Sequence, residues 1–196
     1  YFGDAGGAML YTGASGHAVA TGNLFDGNSA AGGSNPDGGG LMTYQLGPGV
    51  VATVTGDAFT GNQAGLSGGG CIVRINDSGS AEFSGNTLDG NWTLAGTGGG
   101  AELYVNDGTL TMADLEVTGN DAAGSGGGLW VHLGSGTAVL EDSTFTGNGS
   151  GDNGGGASLF VDSGSLEVRR SVAADNTAAG VGGGLSLATA TGSLAL

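Results

Sequence analysis

One stretch of the chain decides the fold: it reads GGGLWVHLGSGTAVLEDSTFTGN and runs from Gly126 to Asn148. Three glycines are followed by an alternating run, Leu129–Leu133, and a Gly-Ser-Gly turn leads to a second run, Thr137–Leu140. A third short run ends in a Gly-Asn pair. Alternation with a period of two is typical of β-strands, and no turn carries the two-residue signal of an antiparallel hairpin. The stretch therefore predicts three strands separated by three turns.

The same unit recurs along the chain at a nearly constant spacing. Triple glycines begin at Gly38, Gly68, Gly98, Gly126, Gly154 and Gly182, in steps of 30, 30, 28, 28 and 28 residues. A second marker, usually Phe-x-Gly-Asn, ends at Asn28, Asn62, Asn91, Asn120, Asn148 and Asn176. A third marker is a turn glycine at Gly16, Gly49, Gly79, Gly108, Gly136, Gly164 and Gly192. Repeats of about 20–50 residues are typical of solenoids, so we predict an all-β, single-stranded parallel β-helix.

The predicted organisation is a single β-helix domain over residues 1–196, with about seven coils of roughly 28–30 residues and three strands per coil. Terminal repeats of solenoids are normally polar and atypical, whereas both ends of this sequence look uncapped. We therefore expect either a segment of a longer β-helix or ends that are covered by a neighbouring chain.

The alternation also assigns the side chains of the core. In the first strand, the positions one and three residues past the triple glycine are small or apolar, as at Leu129. In the second strand, alignment on the turn glycine places Val51 and Thr53 inward, in line with Ala81 and Phe83. The third strand contributes the inward column Phe25, Phe59, Leu88, Val117, Phe145 and Ala173. Such stacked columns predict one continuous core.

The six asparagines of the second marker predict a ladder along one corner of the coils. A side-chain amide can bond the amides above and below it and can satisfy backbone groups that no strand pairs. Asparagine also tolerates the left-handed backbone conformation that a strand corner requires. We expect this column to be structural.

Composition excludes several classes of function. Of 196 residues, 47 are glycine, 18 are acidic and only three, Arg74, Arg169 and Arg170, are basic, which gives a net charge of −15. The chain therefore lacks the basic surface that nucleic acids and anionic membranes require. The single cysteine, Cys71, excludes an internal disulfide, and no apolar run reaches the ~20 residues of a membrane span. We expect no nucleic-acid partner and no direct membrane insertion.

The outward side of the first strand carries five aromatic residues on a face that the alternation predicts to be exposed. This face, the aromatic ribbon, consists of Met9, Tyr11, Met42, Tyr44, Ile72, Arg74, Tyr104, Trp130, His132 and Phe160. Soluble monomers rarely expose a continuous apolar surface, so we predict a contact face for a protein or for sugar rings. Stacking that only stabilises the sheet is the alternative interpretation.

Charged residues fall one coil apart near the end of the chain. Glu141 and Asp142 precede Arg169 and Arg170 by 28 residues, which is the length of the later coils. The two pairs are therefore expected to meet on neighbouring strands, and Asp114 continues the column of Asp142 one coil earlier. We predict exposed ion pairs, which contribute little stability, rather than a catalytic arginine.

The pairing of G-G-[AGL]-Φ with F-x-x-N resembles the β-helix repeats of chlamydial polymorphic outer membrane proteins and related bacterial surface proteins. The matching residues are Gly6–Met9, Gly39–Met42, Gly127–Trp130 and the Phe-x-Gly-Asn copies. The resemblance implies a right-handed, pectin-lyase-like β-helix, export, and a role as a surface adhesin or autotransporter passenger. Right-handedness is also the general preference of parallel crossovers.

Enzymes with pectin-lyase-like folds need carboxylates clustered on one strand face, with Ca²⁺ and a basic residue or with two or three aspartates. Most acidic residues of this chain lie in turns at different corners, so we predict no catalytic residues, no dedicated metal site and no cofactor. Neither an EF-hand nor a glycine-rich calcium nonapeptide is present. The turns Asn76-Asp77, Asn106-Asp107 and Asp152-Asn153 leave weak Ca²⁺ binding as an alternative.

Together these features predict a non-enzymatic structural or interaction protein, located outside the cell or on its surface. We expect an adhesin-like or filament-forming protein that assembles through the aromatic ribbon and its open ends, with a second copy or another surface protein as partner. The alternative is a carbohydrate-binding or carbohydrate-cleaving β-helix.

Overall fold

The computed structural model describes residues 5–32 and 35–196, which wind into coils of β-strand. The strands are β1 (Ala8–Thr12), β2 (His17–Thr21), β3 (Leu24–Asp26), β4 (Ser29–Ala30), β5 (Leu41–Gln45), β6 (Val50–Thr55), β7 (Ala58–Thr60), β8 (Gln63–Ala64), β9 (Cys71–Ser84), β10 (Thr87–Asp89), β11 (Trp92–Thr93), β12 (Ala101–Ala113), β13 (Glu116–Thr118), β14 (Asp121–Ala122), β15 (Leu129–Glu141), β16 (Thr144–Thr146), β17 (Gly149–Ser150), β18 (Ala157–Arg169), β19 (Val172–Ala174), β20 (Thr177–Ala178) and β21 (Leu185–Ala195). Within these ranges, no helix has the length and apolar character that crossing a membrane requires.

Each strand pairs in parallel with the equivalent strand of the next coil. The first sheet runs β1-β5-β9-β12-β15-β18-β21 and also includes β2 and β6. The second sheet holds β3, β7, β10, β13, β16 and β19, and the third holds β4, β8, β11, β14, β17 and β20. Six strands in each smaller sheet correspond to about six turns, close to the seven coils predicted, and the predicted parallel β-helix is confirmed.

The coils are divided into strands differently from the prediction. From β9 onward, the first two predicted strands form one continuous strand, because parallel pairing continues through the turn glycine, as at Gly136 in β15. A further two-residue strand follows each ladder asparagine, such as β17 after Asn148. Two residues are too few to produce a visible alternation, so this strand has no signal in the sequence.

The predicted register of the second coil is wrong by one residue. Val50 pairs with Gly79, so Val50, Ala52 and Val54 point inward and are buried. The predicted inward residues Val51 and Thr53 are only partly buried. The turn at 46–49 is two residues longer than the turn at 106–107 of a later coil, so alignment on a turn glycine fails there.

The corners of each coil turn on residues with a left-handed backbone. At the first corner, between the first and second sheets, these residues are Gly22, Gly56, Gly85, Asp114, Asp142 and Arg170, with φ from 50° to 67°. At the second corner, between the second and third sheets, they are Gly27, Gly61, Gly90, Gly119, Gly147 and Asp175, with φ from 56° to 66°. Glycine has no Cβ and adopts this conformation at little cost, which explains why it holds five of the six positions at the second corner and three of the six at the first.

Large apolar side chains fill the space between the sheets. Phe59, Phe83 and Phe145 are fully buried, and the rings of Phe25 and Phe59 stack with their centroids 5.0 Å apart. The close approach of coils at the triple glycines completes this packing, since a Cβ on Gly127 would lie 2.1 Å from a neighbouring carbonyl oxygen. The core therefore runs uninterrupted beneath the outward face of the first sheet.

Candidate functional site

One column of large side chains follows the outward side of the first sheet. Strand pairing makes direct neighbours of Tyr11, Tyr44, Arg74, Tyr104, His132 and Phe160 in six successive coils. The rings of Tyr11 and Tyr44 stack with centroids 6.4 Å apart. The His132 ring lies 5.3 Å from Tyr104, 5.5 Å from Phe160 and 5.8 Å from Trp130, centroid to centroid. The structure thus brings seven of the ten aromatic-ribbon residues together.

The aromatic ribbon is narrower than predicted, because Met42 and Ile72 are fully buried. The first glycine of each triple glycine lies over the outward residue that follows: a Cβ on Gly68 would lie 2.2 Å from Ile72 Cγ1. Met9 and Tyr11 are exposed at 39% and 52%, whereas the other large ribbon residues are half-buried. The accessible surface is therefore essentially a single file of rings around one arginine.

Arg74, in the middle of this file, is held by buried carboxylates. Its Nη2 donates to Glu102 Oε1 at 2.5 Å, and its Nη1 lies 3.9 Å from Asp37 Oδ2. Glu102 is 4% exposed, and its second oxygen accepts a hydrogen bond from Thr97 Oγ1 at 2.9 Å. Charged hydrogen bonds of this kind offset the cost of burying the carboxylate. The guanidinium is consequently fixed in one position on the face.

Sequence reasoning missed this cluster. Asp37 lies next to a sequence insertion: seven residues separate Ala30 from Gly38, whereas three separate Ala64 from Gly68 in the next coil. The interval of 37 residues from Asp37 to Arg74 matches no coil length, so the repeat gives no hint of their contact. The available signal was the step of 30 residues in this coil, which places Glu102 beside Ile72 and therefore diagonal to Arg74 on the neighbouring strand.

A shallow depression of about 300 Å³ opens beside Arg74. It is lined by Tyr44, Arg74, Asn76, Glu102, Tyr104 and Trp130. Asn76 belongs to a turn that is one residue longer than its neighbour in the next coil. Its Nδ2 atom is buried and has no hydrogen-bond acceptor among the described residues. Leaving such a donor unpaired is costly, which distinguishes this point from the rest of the face.

His132 has a polar contact in addition to its ring neighbours. Its Nε2 lies 3.1 Å from Asp162 Oδ2, and the Asp162 carboxylate is half exposed. The imidazole is therefore held between rings and beside an acid. This arrangement orients the ring within the file and keeps that end of the face polar.

The ladder asparagines form a continuous chain of hydrogen bonds at the second corner. Asn120 Oδ1 accepts from the backbone N–H and from Nδ2 of Asn91, both at 2.9 Å. Asn120 Nδ2 donates to Leu88 O at 2.9 Å and to Asn148 Oδ1 at 3.0 Å. The same pattern extends from Asn28 to Asn176. The ladder supplies partners for backbone groups that lie between strands, which is a structural role.

A second, irregular ladder at the first corner was not predicted. It consists of Asn23, Asp57, Asn86, Leu115, Ser143 and Ser171. The Asn23 N–H donates to Asp57 Oδ1 at 2.6 Å, and the Asp57 N–H donates to Asn86 Oδ1 at 2.9 Å. The Leu115 N–H donates to Ser143 Oγ at 3.1 Å, but Leu115 itself offers no oxygen. Changing residue types hid this column, although a polar residue after the left-handed position was a usable signal.

The charged residues of the last coils meet as the 28-residue interval predicts. Arg169 Nε donates to Glu141 Oε2 at 2.8 Å, and Arg170 donates to both oxygens of Asp142 at 2.8 and 2.7 Å. Hydrogen bonds from Arg169 and then Arg170 lower the pKa of Glu141, and Arg170 lowers the pKa of Asp142. Within the part of the chain described, no arginine lies within ion-pair distance of the Asp114 carboxylate, so Asp114 is not part of this cluster.

Asp114 instead lines an open groove of about 480 Å³. The other lining residues are Leu115, Glu116, Thr118, Asp142, Thr144 and Thr146. Among the residues that the structure describes, no three His, Cys, Asp or Glu side chains are arranged to hold a metal ion. In the acidic turns, Asp107 accepts from Ser135 Oγ and Asp152 accepts from Ser125 Oγ, so their carboxylates already serve the local structure.

Comparison with known families and proteins gives one result. A family model described as "Right handed beta helix region" matches residues 46–192, about three quarters of the chain. It confirms the right-handed parallel β-helix and extends over the aromatic ribbon from Arg74 to Phe160. No curated protein and no solved structure matches the chain.

Proposed function

Since the chain belongs to the right-handed β-helix family, we propose that it is a non-enzymatic interaction protein whose contact face is the aromatic ribbon. The observation that supports this proposal is the file of partly exposed rings around Arg74 on one face of the first sheet. Tyrosine, tryptophan and arginine are the residues that dominate the binding energy of protein interfaces.

The setting of these side chains favours binding. Apart from Tyr11, whose strand β1 ends the sheet, each ring is attached to a strand that is paired on both sides, and Arg74 is fixed by Glu102. A face that is already ordered loses little conformational entropy when a partner arrives. A rigid, elongated contact surface of this kind suits an adhesin-like or filament-forming protein outside the cell or on its surface.

The proposed partner is a protein, either a second copy or another surface protein. The net charge of −15 repels a second copy, and salt weakens such repulsion over distances of about 10 Å at 0.1 M. Association between two copies of the aromatic ribbon should therefore strengthen with salt, whereas attachment to a basic partner should weaken. The sign of the salt effect separates the two forms of the proposal.

The test compares the wild-type protein with the double variant Tyr104→Ser/Trp130→Ser by sedimentation velocity and negative-stain electron microscopy. We expect the variant to keep the far-ultraviolet circular dichroism of the β-helix but to lose self-association or binding to its surface partner. The matched control is Trp92→Ser, because Trp92 is 39% exposed but lies in the third sheet. Equal association of all three proteins would contradict the proposal.

A carbohydrate-cleaving β-helix is the second candidate, and the groove lined by Asp114, Glu116 and Asp142 favours it. The test is incubation with acidic and neutral polysaccharides, with and without Ca²⁺, followed by assays for unsaturated products and new reducing ends. Turnover that is lost in Asp142→Ala but kept in Asp89→Ala would establish an enzyme and contradict the first proposal.

A further inference from the structure

Resting on the function proposed above, we propose that the aromatic ribbon binds proline-rich polypeptide segments in the polyproline II conformation. The principal subsite is the depression beside Arg74, between Tyr44 and Tyr104. Three features of this subsite lead to the same partner: the spacing of its rings, its unpaired hydrogen-bond donor, and its charge.

The spacing of the two tyrosines matches the period of a polyproline II helix. Tyr44 and Tyr104 both pair with Arg74 and therefore lie two coils apart. With about 4.8 Å between neighbouring strands, this separation is about 9.6 Å along the rod. A polyproline II helix rises about 3.1 Å per residue and repeats every three residues, or about 9.3 Å. Prolines three residues apart can therefore pack against both tyrosines of the same face.

The hydrogen-bonding character of the depression favours proline over sugar. Asn76 Nδ2 is a buried donor without an acceptor among the described residues, and both oxygens of Glu102 already accept hydrogen bonds, from Arg74 and Thr97. Polyproline II carbonyls make no internal hydrogen bonds, and proline has no N–H that needs an acceptor. A sugar brings hydroxyl donors as well as acceptors, for which this site is less suited.

The charge of the site selects peptides with basic flanks. Arg74 faces two carboxylates, Glu102 and Asp37, and the other two arginines are engaged with Glu141, Glu167 and Asp142. The excess negative charge of the chain is therefore not compensated near the depression. Lysine or arginine residues beside the prolines would be attracted, which chiefly raises the rate of association.

The experiment is a fluorescence titration in a Trp92→Phe background, so that Trp130 supplies the emission. The probe is a synthetic peptide of nine prolines flanked by two arginines at each end. The reference peptide keeps the arginines and replaces the prolines by alternating glycine and serine. We expect a saturable change with the proline peptide and binding at least about tenfold weaker with the reference, which has no preformed helix.

Two variants sharpen the measurement. Tyr104→Ala removes one wall of the depression and should weaken proline-peptide binding about tenfold. Asn76→Asp removes the unpaired donor and should weaken it several-fold even though it adds attraction for the arginines. The matched control is Leu94→Ala, because Leu94 is 50% exposed and lies outside the ribbon; it should leave the affinity unchanged.

Several outcomes would overturn the inference. Equal binding of both peptides would mean that charge alone is recognised. Binding of a neutral oligosaccharide in place of the proline peptide would assign the face to glycans. If neither ligand binds while Tyr104→Ser/Trp130→Ser still abolishes association, only the proline-rich partner is excluded. If that association is also unaffected, the proposed function fails with it.

Discussion

The two corners of each coil use the same backbone device but differ in how uniform they are. At the second corner, a left-handed residue is followed by asparagine in every coil from Asn28 to Asn176. At the first corner, the left-handed residue changes from glycine to aspartate and arginine, and the following residue is Asn, Asp, Leu or Ser. Both corners nevertheless turn the chain with nearly the same φ values.

The difference shows which part of the corner is required. The backbone N–H of the residue after the turn needs an acceptor from the next coil, and Asn86, Ser143 and Ser171 supply one as well as the ladder asparagines do. The donor Nδ2 is an additional contribution that bonds a carbonyl of the preceding coil, as Asn120 does to Leu88; at the first corner Asn86 makes the same bond to Val54, but the serines there do not. The first corner therefore accepts several residue types where the second has only asparagine, and we call it the tolerant corner.

The largest expected effect follows a substitution at the second corner, where every coil has asparagine. Asn120→Ala removes the acceptor of the Asn91 N–H and the donor to Leu88, all within buried structure. We expect a loss of about 4 kcal/mol in the free energy of unfolding, since each buried unpaired group costs about 1–3 kcal/mol. Ser143→Ala at the tolerant corner removes one acceptor and should cost about 1–2 kcal/mol. Urea denaturation measures both, and equal losses would contradict the distinction between the corners.

The second prediction concerns Leu115, where the ladder of the first corner lacks a side-chain oxygen. Leu115→Ala should cost about 3 kcal/mol, because Leu115 is a buried core residue. Leu115→Asn should cost about 1 kcal/mol less than Leu115→Ala, because its amide can accept from Asn86 as Asn86 does from Asp57. Without the ladder, the opposite order would be expected, because burial of an amide normally costs more than burial of a methyl group. If Leu115→Asn unfolds at lower urea than Leu115→Ala, packing rather than the ladder governs this corner.

A third, smaller effect concerns the left-handed position itself. A Cβ on Gly147 would meet nothing within 4 Å, but φ there is 66°. Gly147→Ala should therefore cost about 1–2 kcal/mol from backbone strain alone. Gly147→Asn should cost less, because asparagine tolerates this conformation better and Asp175 occupies the equivalent position. Thermal unfolding of the two variants measures this difference. A lower melting temperature for Gly147→Asn than for Gly147→Ala would contradict the explanation.

The smallest effect is the pH dependence of the charged residues at the tolerant corner. The arginines lower the pKa values of Glu141 and Asp142 in the folded protein, so their stabilisation is present above the ordinary values of 4.5 and 3.8. It is lost as the pH falls through the lowered values. Arg170→Ala should reduce stability at neutral pH slightly and flatten this part of the pH profile.

Salt provides the control for that measurement. Arg170 and Asp142 are exposed, so 1 M NaCl should remove most of the difference between wild type and Arg170→Ala. Trp92→Ser, which changes no charged residue and lies in the third sheet, should leave the pH profile near pH 4 unchanged. A pH profile that Arg170→Ala leaves as steep as the wild type would contradict the assignment.

The regular coils were predictable because their length is constant. With steps of 28 residues, the neighbours of Asn120 and the contact of Glu141 with Arg169 follow from counting. Counting fails where turns differ in length, which is why Val51 was placed inward in error. It also fails for contacts between a coil and its own turn, which bury Ile72.

The candidate site was predictable only in outline for a related reason. Alternation identifies the column from Tyr11 to Phe160, because the side of the sheet on which a residue lies depends only on the two-residue period of a strand. The depression depends on Asn76, which comes from a longer turn, and on the position of Arg74, beside which Asp37 lies after a sequence insertion. Such insertions lie outside the repeat, so their position on the face emerges only when the chain is folded.

The second corner has a consequence for adding new chemistry to this protein. The five glycines there, Gly27, Gly61, Gly90, Gly119 and Gly147, each face open space where a Cβ would stand. They form a straight row with one position per coil, about 4.8 Å apart. Asp175, which continues the row, shows that a side chain can project from this position while the ladder beside it remains intact. This row therefore offers attachment points for dyes, metals or catalytic groups, and the distance between any two points is a multiple of one strand spacing.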